Sequence, residues 1–250
     1  MKKVSIITVN YNNSKGLEQT IISVRKQKQL GANIEYLIID GKSSDDSFDI
    51  IQKNNDIVDV IICEKDNGIY DAMNKGLKNA TGDYVLFLNS GDYFYNTFSL
   101  LKFGDKYFEY NKTLFSYTVQ MYNKLLFLRP SRKLKKYDFH NFGHQGVFAY
   151  KDDYKTIFYN EAHLVDADAI WQKEIWSKDN YMIVDEITSC FSLGGVSNSY
   201  NLKNVKKQLK SYTNKKQKIK TIIKFFLWHL IPHQFFYKLM FSKKCDLIKV

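Results

Sequence analysis

Four short apolar runs, each followed at once by acids or amides, constrain this chain more than any other feature. Val4–Val9, Ile34–Ile39, Ile57–Cys63 and Tyr84–Leu88 have strand length and are rich in β-branched residues, the signature of strands buried on both faces. Helical segments fill the gaps. Ser14 is expected to cap one that carries Leu17, Ile21 and Val24 on a single face. Ser43 or Ser44 is expected to cap a second, with Asp45 and Asp46 in its first turn where the helix dipole favours anions. The third has the clearest periodicity: Ile69, Ala72, Met73, Gly76, Leu77 and Ala80 on one side, Asp71, Asn74, Lys75 and Lys78 on the other. Strand alternating with helix at this pitch predicts an α/β fold, a Rossmann-like, mostly parallel sheet with helices on both faces.

Beyond residue 100 the pattern loosens. Thr113–Tyr122 and Lys124–Leu128 read as two strands joined near Asn123, an antiparallel addition to the sheet, and Asp166–Trp176 reads as a helix. Charge divides the chain in two. Residues 201–250 hold 13 lysines against the single acid Asp246, which leaves 24 basic and 25 acidic side chains for residues 1–200. The expected organisation is therefore a near-neutral body, 1–200, with an amphipathic helical tail, 201–250, as its appendage. The longest tail stretch without a charged residue runs from Phe225 to Tyr237, shorter than the roughly 20 residues needed to span a bilayer. Aromatics grouped in apolar blocks and flanked by lysines fit a segment lying on an anionic membrane surface, kinked at Pro232, and not a nucleic-acid binder. Lys2 and Lys3 precede too short an apolar run for a secretory signal. Cys63, Cys190 and Cys245 have no paired spacing. The expected location is the cytoplasm, peripheral on the inner face of the cell membrane.

Ligands of open parallel sheets bind outside the carboxyl ends of the strands. Here those ends carry Asn10-Tyr11-Asn12, Asp40, Glu64 to Asp66, and Asp92. No G-x-G-x-x-G follows the first strand and no P-loop lysine is present, so dinucleotide and Walker-type sites are excluded. An acidic rim repels a diphosphate unless a divalent cation, Mn²⁺ or Mg²⁺, joins them, and Asp92 at the tip of a buried strand is its expected ligand.

The strings VSIITVNYNNSKGLEQTIISV, EYLIIDGKSSDDS and EKDNGIYDAMNKGLKNATGDYVLFLNSGD, followed by FGHQGVFAY, LVDADAIW and FSLGGVS, resemble the family 2 glycosyltransferases over roughly residues 1–200. The resemblance is strongest to the bacterial branch that builds capsule, O-antigen and exopolysaccharide. It implies a GT-A fold, a nucleotide-sugar donor (UDP-linked by default), a divalent metal and inversion at the anomeric carbon.

Carried over by position, the resemblance assigns Thr8, Val9 and Tyr11 to the nucleobase and Asp40 to its ring. Asp71 and Asn74 fall beside the donor. Met73 stands where many relatives have an arginine, which shifts that charge to Lys75. The family's Asp-x-Asp-Asp is reduced to Asn89-Ser90-Gly91-Asp92, leaving Asp92 for metal and pyrophosphate and Asn89 for the ribose or sugar. Metal dependence is correspondingly in question. Asp166 matches the general base, with Asp168 as the alternative. His144 and Gln145 border the acceptor or diphosphate, and Gly194-Gly195 supplies a loop near the acceptor. The expected reaction moves a hexose or N-acetylhexosamine onto a lipid-linked glycan acceptor in surface polysaccharide biosynthesis. A nucleotidyltransferase of similar topology, or a non-catalytic membrane-surface module, are the alternatives; the first lacks its Gly-rich basic loop between Asn10 and Lys15.

Overall fold

The structure, a computed structural model, describes residues 2–123, 125–162, 167–193, 202–212, 214–241 and 245–248. Its first half alternates as the apolar runs dictate: β1 (Val4–Asn10), α1 (Ser14–Gln29), β2 (Ile34–Asp40), α2 (Ser47–Lys53), β3 (Val60–Cys63), α3 (Ile69–Asn79) and β4 (Tyr84–Phe87). The order across the sheet is β3-β2-β1-β4, all parallel. Register sets Asn10 against Asp40 and Asp40 against Cys63, so the polar strand ends gather on one rim.

Alternation along each strand sorts side chains between two cores. Val4, Ile6, Tyr36, Ile38 and Leu86 meet Leu17, Ile21 and Val24 of α1 on one face. Ile7, Val9, Leu37, Ile39 and Phe87 meet Ala72, Met73 and Leu77 of α3 on the other. Gly76 is what lets α3 lie so close: a Cβ there would sit 2.5 Å from Ile7 Cγ2.

The second half closes the sheet with antiparallel strands. After β5 (Tyr93–Phe94) and α4 (Leu100–Tyr107) come the hairpin β6 (Thr113–Tyr122) and β7 (Leu125–Arg129), then β8 (Val147–Tyr150), α5 (Lys151–Tyr154), α6 (Ala167–Ser177) and β9 (Tyr181–Ser192). β8 pairs antiparallel with β4 and with β6, and β9 runs parallel to β6 along its full length. Trp171 and Ile175 of α6 complete the α3-side core.

Two expectations about helix starts are corrected. Asn13, not Ser14, caps α1, its Oδ1 accepting from the Gly16 amide at 3.3 Å. Helix α2 starts only at Ser47, because Ser43 is engaged with the Asp40 carboxylate and Ser44 with Asn12. The tail is corrected further. It forms α7 (Leu202–Ser211), α8 (Lys215–Leu230) and α9 (His233–Phe241), but then returns as β10 (Asp246–Ile248), antiparallel to β7. Phe236 and Tyr237 are buried with Phe127 and Leu193. The end of the tail is therefore part of the sheet's edge, not an appendage.

Gly76→Ala should destabilise the protein by about 1–3 kcal/mol in urea denaturation through overpacking against Ile7. Combining it with Ile7→Ala should cost less than the sum of the two single changes; strict additivity would refute that close approach.

Candidate active site

The rim of the sheet contains three linked polar clusters. At the ends of β1 and β2, Asp40 is almost wholly buried. It accepts from Asn10 Nδ2 (2.7 Å), from the Ser43 amide (2.8 Å) and from Ser43 Oγ (2.7 Å). Burying an ionised carboxyl is tolerable only with this many donors. Tyr11 stands beside it, its ring largely open to solvent. Gly41 packs tightly between them: a Cβ would fall 3.1 Å from Tyr11 Cδ2 and 2.9 Å from Asp66 Oδ2. The open ring of Tyr11 gives this part of the rim an aromatic face beside a hydrogen-bonded polar floor.

The second cluster lies beside Gly41, through Asp66. Lys75 of α3 reaches Glu64 (2.8 Å), Asp66 (2.7 Å) and Asp71 (3.4 Å). Burial works against its charge, but Asp66 and Glu64 more than reverse this and hold the ammonium above its ordinary range. Asp66 is itself pushed up by burial, Lys75 notwithstanding.

The third cluster joins the end of β4 to the short turn before β8 and to α6. Ser90 Oγ donates to Asn10 Oδ1 at 2.6 Å, linking it to the first. Asp92 is 4% exposed; among the described residues its one side-chain donor is Gln145 Nε2 at 3.1 Å, while its carbonyl accepts from Thr20 Oγ1 at 2.7 Å. Burial pushes the Asp92 carboxyl up to about 7. Asn89 Nδ2 lies 3.4 Å from His144 Nε2, and Asn89 Oδ1 is buried with no partner among the described residues. On its other side His144 Nδ1 lies 3.6 Å from Asp168 Oδ2. Burial opposes the charge on Asp168, but His144 and the Ala169 amide outweigh it and hold the carboxyl below its usual range. Gln172, turned so that both its amide atoms are satisfied, donates to the Phe139 carbonyl and accepts from the His144 amide.

Of the residues singled out from the sequence, the structure thus brings together Asn89, Asp92, His144, Gln145 and Asp168, with Tyr11 and Asp40 on the same rim. Asp166, Gly194 and Gly195 lie outside the described residues. Three positions are corrected. Thr8 points into the core, its hydroxyl 2.8 Å from the Leu88 carbonyl and 3.1 Å from Tyr36 Oη, and Val9 packs beneath the sheet against α3. Asn74 is not on the exposed face of α3: it is buried, clamping Tyr159 by its amide (2.8 Å) and carbonyl (2.9 Å), with Glu161 at 2.9 Å. Periodicity cannot separate a polar residue on the solvent face from one buried against a later loop.

Arg129 went unnoticed in the sequence. It ends β7, donates to the carbonyls of Asn141 (2.9 Å) and His140 (3.0 Å), and adds positive potential at Asp168. Among the described residues no carboxylate lies within ion-pair distance of it. The available signal was its residue type, one of three arginines in a chain where lysine supplies every other basic side chain.

Among the described residues no three His, Cys, Asp or Glu side chains converge on a cation. A buried carboxyl with an orphaned amide oxygen nearby in the same turn nonetheless fits a hard cation that takes its remaining ligands from a substrate diphosphate.

An open α/β sheet with a polar site on the carboxyl rim of its parallel strands is the GT-A architecture, and solved structures of that shape match this one. Staphylococcus aureus TarS in complex with UDP superposes with a TM-score of 0.63 at 17% identity, over 96% of this chain and 75% of that one. A Pyrobaculum calidifontis mannosyltransferase in complex with GDP-Man and Mn²⁺ superposes with a TM-score of 0.54 at 12% identity, over 92% of this chain and 70% of that one. The chain belongs to glycosyl transferase family 2, whose family model matches residues 5–176. An uncharacterized Mycobacterium tuberculosis glycosyltransferase is 42% identical over 91 residues, 36% of this chain and 34% of that protein. The Escherichia coli UDP-Glc:alpha-D-GlcNAc-diphosphoundecaprenol beta-1,3-glucosyltransferase WfaP is 39% identical over 123 residues, 47% of this chain and 46% of its own length. The matches thus span between a third and a half of these relatives.

Because the Asp92 carboxyl titrates near 7 when folded and near 3.8 when unfolded, the folded protein holds an extra proton between those values. Stability conferred by that proton is complete below the unfolded value and is lost as pH rises toward 7. In chelator-treated buffer Asp92→Asn should therefore match the parent at pH 4 and exceed it at pH 8 by roughly 4 kcal/mol in urea denaturation. An unchanged difference between the two pH values would show that Asp92 is ionised throughout.

Proposed function

We propose that the protein transfers a sugar from a UDP-sugar to a hydroxyl of a lipid-linked saccharide, with inversion at the anomeric carbon. The observation that carries this reading is the line Asn89–His144–Asp168 lying across the strand rim beside buried Asp92. It sets a carboxylate held in its ionised form next to a site suited to a diphosphate. The WfaP name specifies a UDP-sugar donor and a diphosphoundecaprenol acceptor, and another TarS structure holds UDP-GlcNAc; both support the substrate classes.

In this reading the uracil stacks on the open ring of Tyr11, near Asp40. The diphosphate extends toward Asp92, with Asn89 facing the ribose or donor sugar. Asp168 accepts the proton of the acceptor hydroxyl as its oxygen bonds to the anomeric carbon, and the bond from that carbon to the diphosphate breaks on the opposite face. His144 orients Asp168, and Gln145 holds Asp92. Asp166, two residues earlier, is the competing base. Asp92 and the Asn89 amide oxygen would hold a divalent cation, Mn²⁺ or Mg²⁺, which supplies positive charge to the leaving nucleoside diphosphate. Arg129 adds positive charge on the acceptor side. Thr8, Val9 and Asn74 serve by holding the rim in shape, and Lys75 by ordering the acids beside Gly41.

The test is release of nucleoside diphosphate from a panel of nucleotide sugars, with and without Mn²⁺ and with a diphosphoundecaprenol-linked sugar as acceptor. Transfer should depend on a UDP-sugar, and Asp168→Asn should lower kcat by about 10²–10⁴ while donor affinity stays within about tenfold. Normal turnover by that variant, with loss in Asp166→Asn, would move the base to Asp166. No release from any donor would refute the assignment.

A further inference from the structure

Helix α8 turns its apolar side outward. Ile219, Ile222, Ile223, Phe226 and Leu230 fall at i, i+3, i+4, i+7 and i+11, so they form a single stripe along the helix. All five are exposed, Phe226 to 56% and Leu230 to 76%. The opposite side faces the protein: Thr221 is buried, and Trp228 stacks on His233 and meets Phe236 and Tyr237 edge-on. A helix of a water-soluble surface normally does the reverse, and a continuous exposed apolar stripe of this kind marks an interaction site.

Charge identifies the partner. Lys215, Lys216, Lys218 and Lys220 cluster in the first turns of α8, and the sequence has no acid between Glu186 and Asp246. A second copy of the chain laid on this face would set lysine against lysine. An anionic surface that takes both an apolar wedge and a lysine fringe is a bilayer containing acidic lipids. Among the described residues no helix is long and apolar enough to cross a membrane, so α8 would lie along the interface.

We infer that α8 docks the protein onto an anionic bilayer, inserting Ile219, Ile222, Ile223, Phe226 and Leu230 while its lysines meet the headgroups. The attachment bears on the site through the sheet. The α8–α9 unit packs on Phe127 of β7, β10 pairs with the same strand, and β7 ends at Arg129, whose guanidinium holds the His140–Asn141 segment just before His144. The docking stands on the tail alone; its use in presenting a lipid-borne acceptor to Asp168 rests on the reading proposed above.

The test is co-sedimentation of the full chain with vesicles of phosphatidylcholine alone or mixed with phosphatidylglycerol, alongside sedimentation velocity without lipid and UDP binding as a folding control. The parent should bind the mixed vesicles at least tenfold more tightly than the neutral ones, and less tightly at high salt. The variant Ile223→Ser/Phe226→Ser should lose most of this binding, and Lys216→Gln/Lys220→Gln should lose its lipid selectivity, both with UDP affinity unchanged. Equal vesicle binding by parent and stripe variant would overturn the proposal. So would a lipid-independent dimer that the stripe variant dissociates, which would assign the face to a second copy. Loss of UDP binding with vesicle binding intact would count against the proposed donor site and leave the docking standing.

Discussion

A carboxyl group buried at the end of a β-strand, with a single side-chain donor among the described residues, is the constraint around which the site is organised. Asp92 sits beyond β4, where the Asn89–Asp92 turn curls back against α1 through Thr20. Its environment favours the protonated form, a cost that the fold accepts only at a place where charge is to be met later. Asp40 shows the contrast. It is equally buried but receives three hydrogen bonds from Asn10 and Ser43, so its position is set before any ligand arrives. One carboxylate is locked in place and the other is left waiting.

The parallel half of the fold was legible because β1, β2 and β4 are buried on both faces and each helix on one, so composition and period carry the information. The hairpin β6–β7 was legible for the same reason, its alternation breaking at Asn123. The path of the chain's end was not. Phe236 and Tyr237 look like further members of an amphipathic tail, and nothing local says that they pack on Phe127, more than a hundred residues earlier in sequence. Asn74 illustrates the same limit within the site: its position on α3 is set by period, while its burial depends on Tyr159 arriving from a later loop. Arg129 is the converse case, a site residue whose surroundings, between a strand of ordinary composition and a proline, carry no motif.

Two features give the antiparallel extension a second task beyond closing the sheet. β6 contacts β8 along its first part and β7 along its second, while β9 follows its other edge. The hairpin thereby spans the distance from the tail helices to the turn that holds His144 and Gln145. In the proposed reading, which brings a water-soluble donor and a membrane-borne acceptor to one carboxylate, this sheet edge supplies the rigid link.

The central claim is that the carboxyl rim of β1–β4 receives the nucleotide. A crystal structure of the protein soaked with UDP and Mn²⁺ tests it most directly. The account places the uracil against the open ring of Tyr11 near Asp40, the ribose near Asn89 and the diphosphate beside Asp92. A nucleotide bound in order at any other part of the surface, with this rim empty, would contradict it.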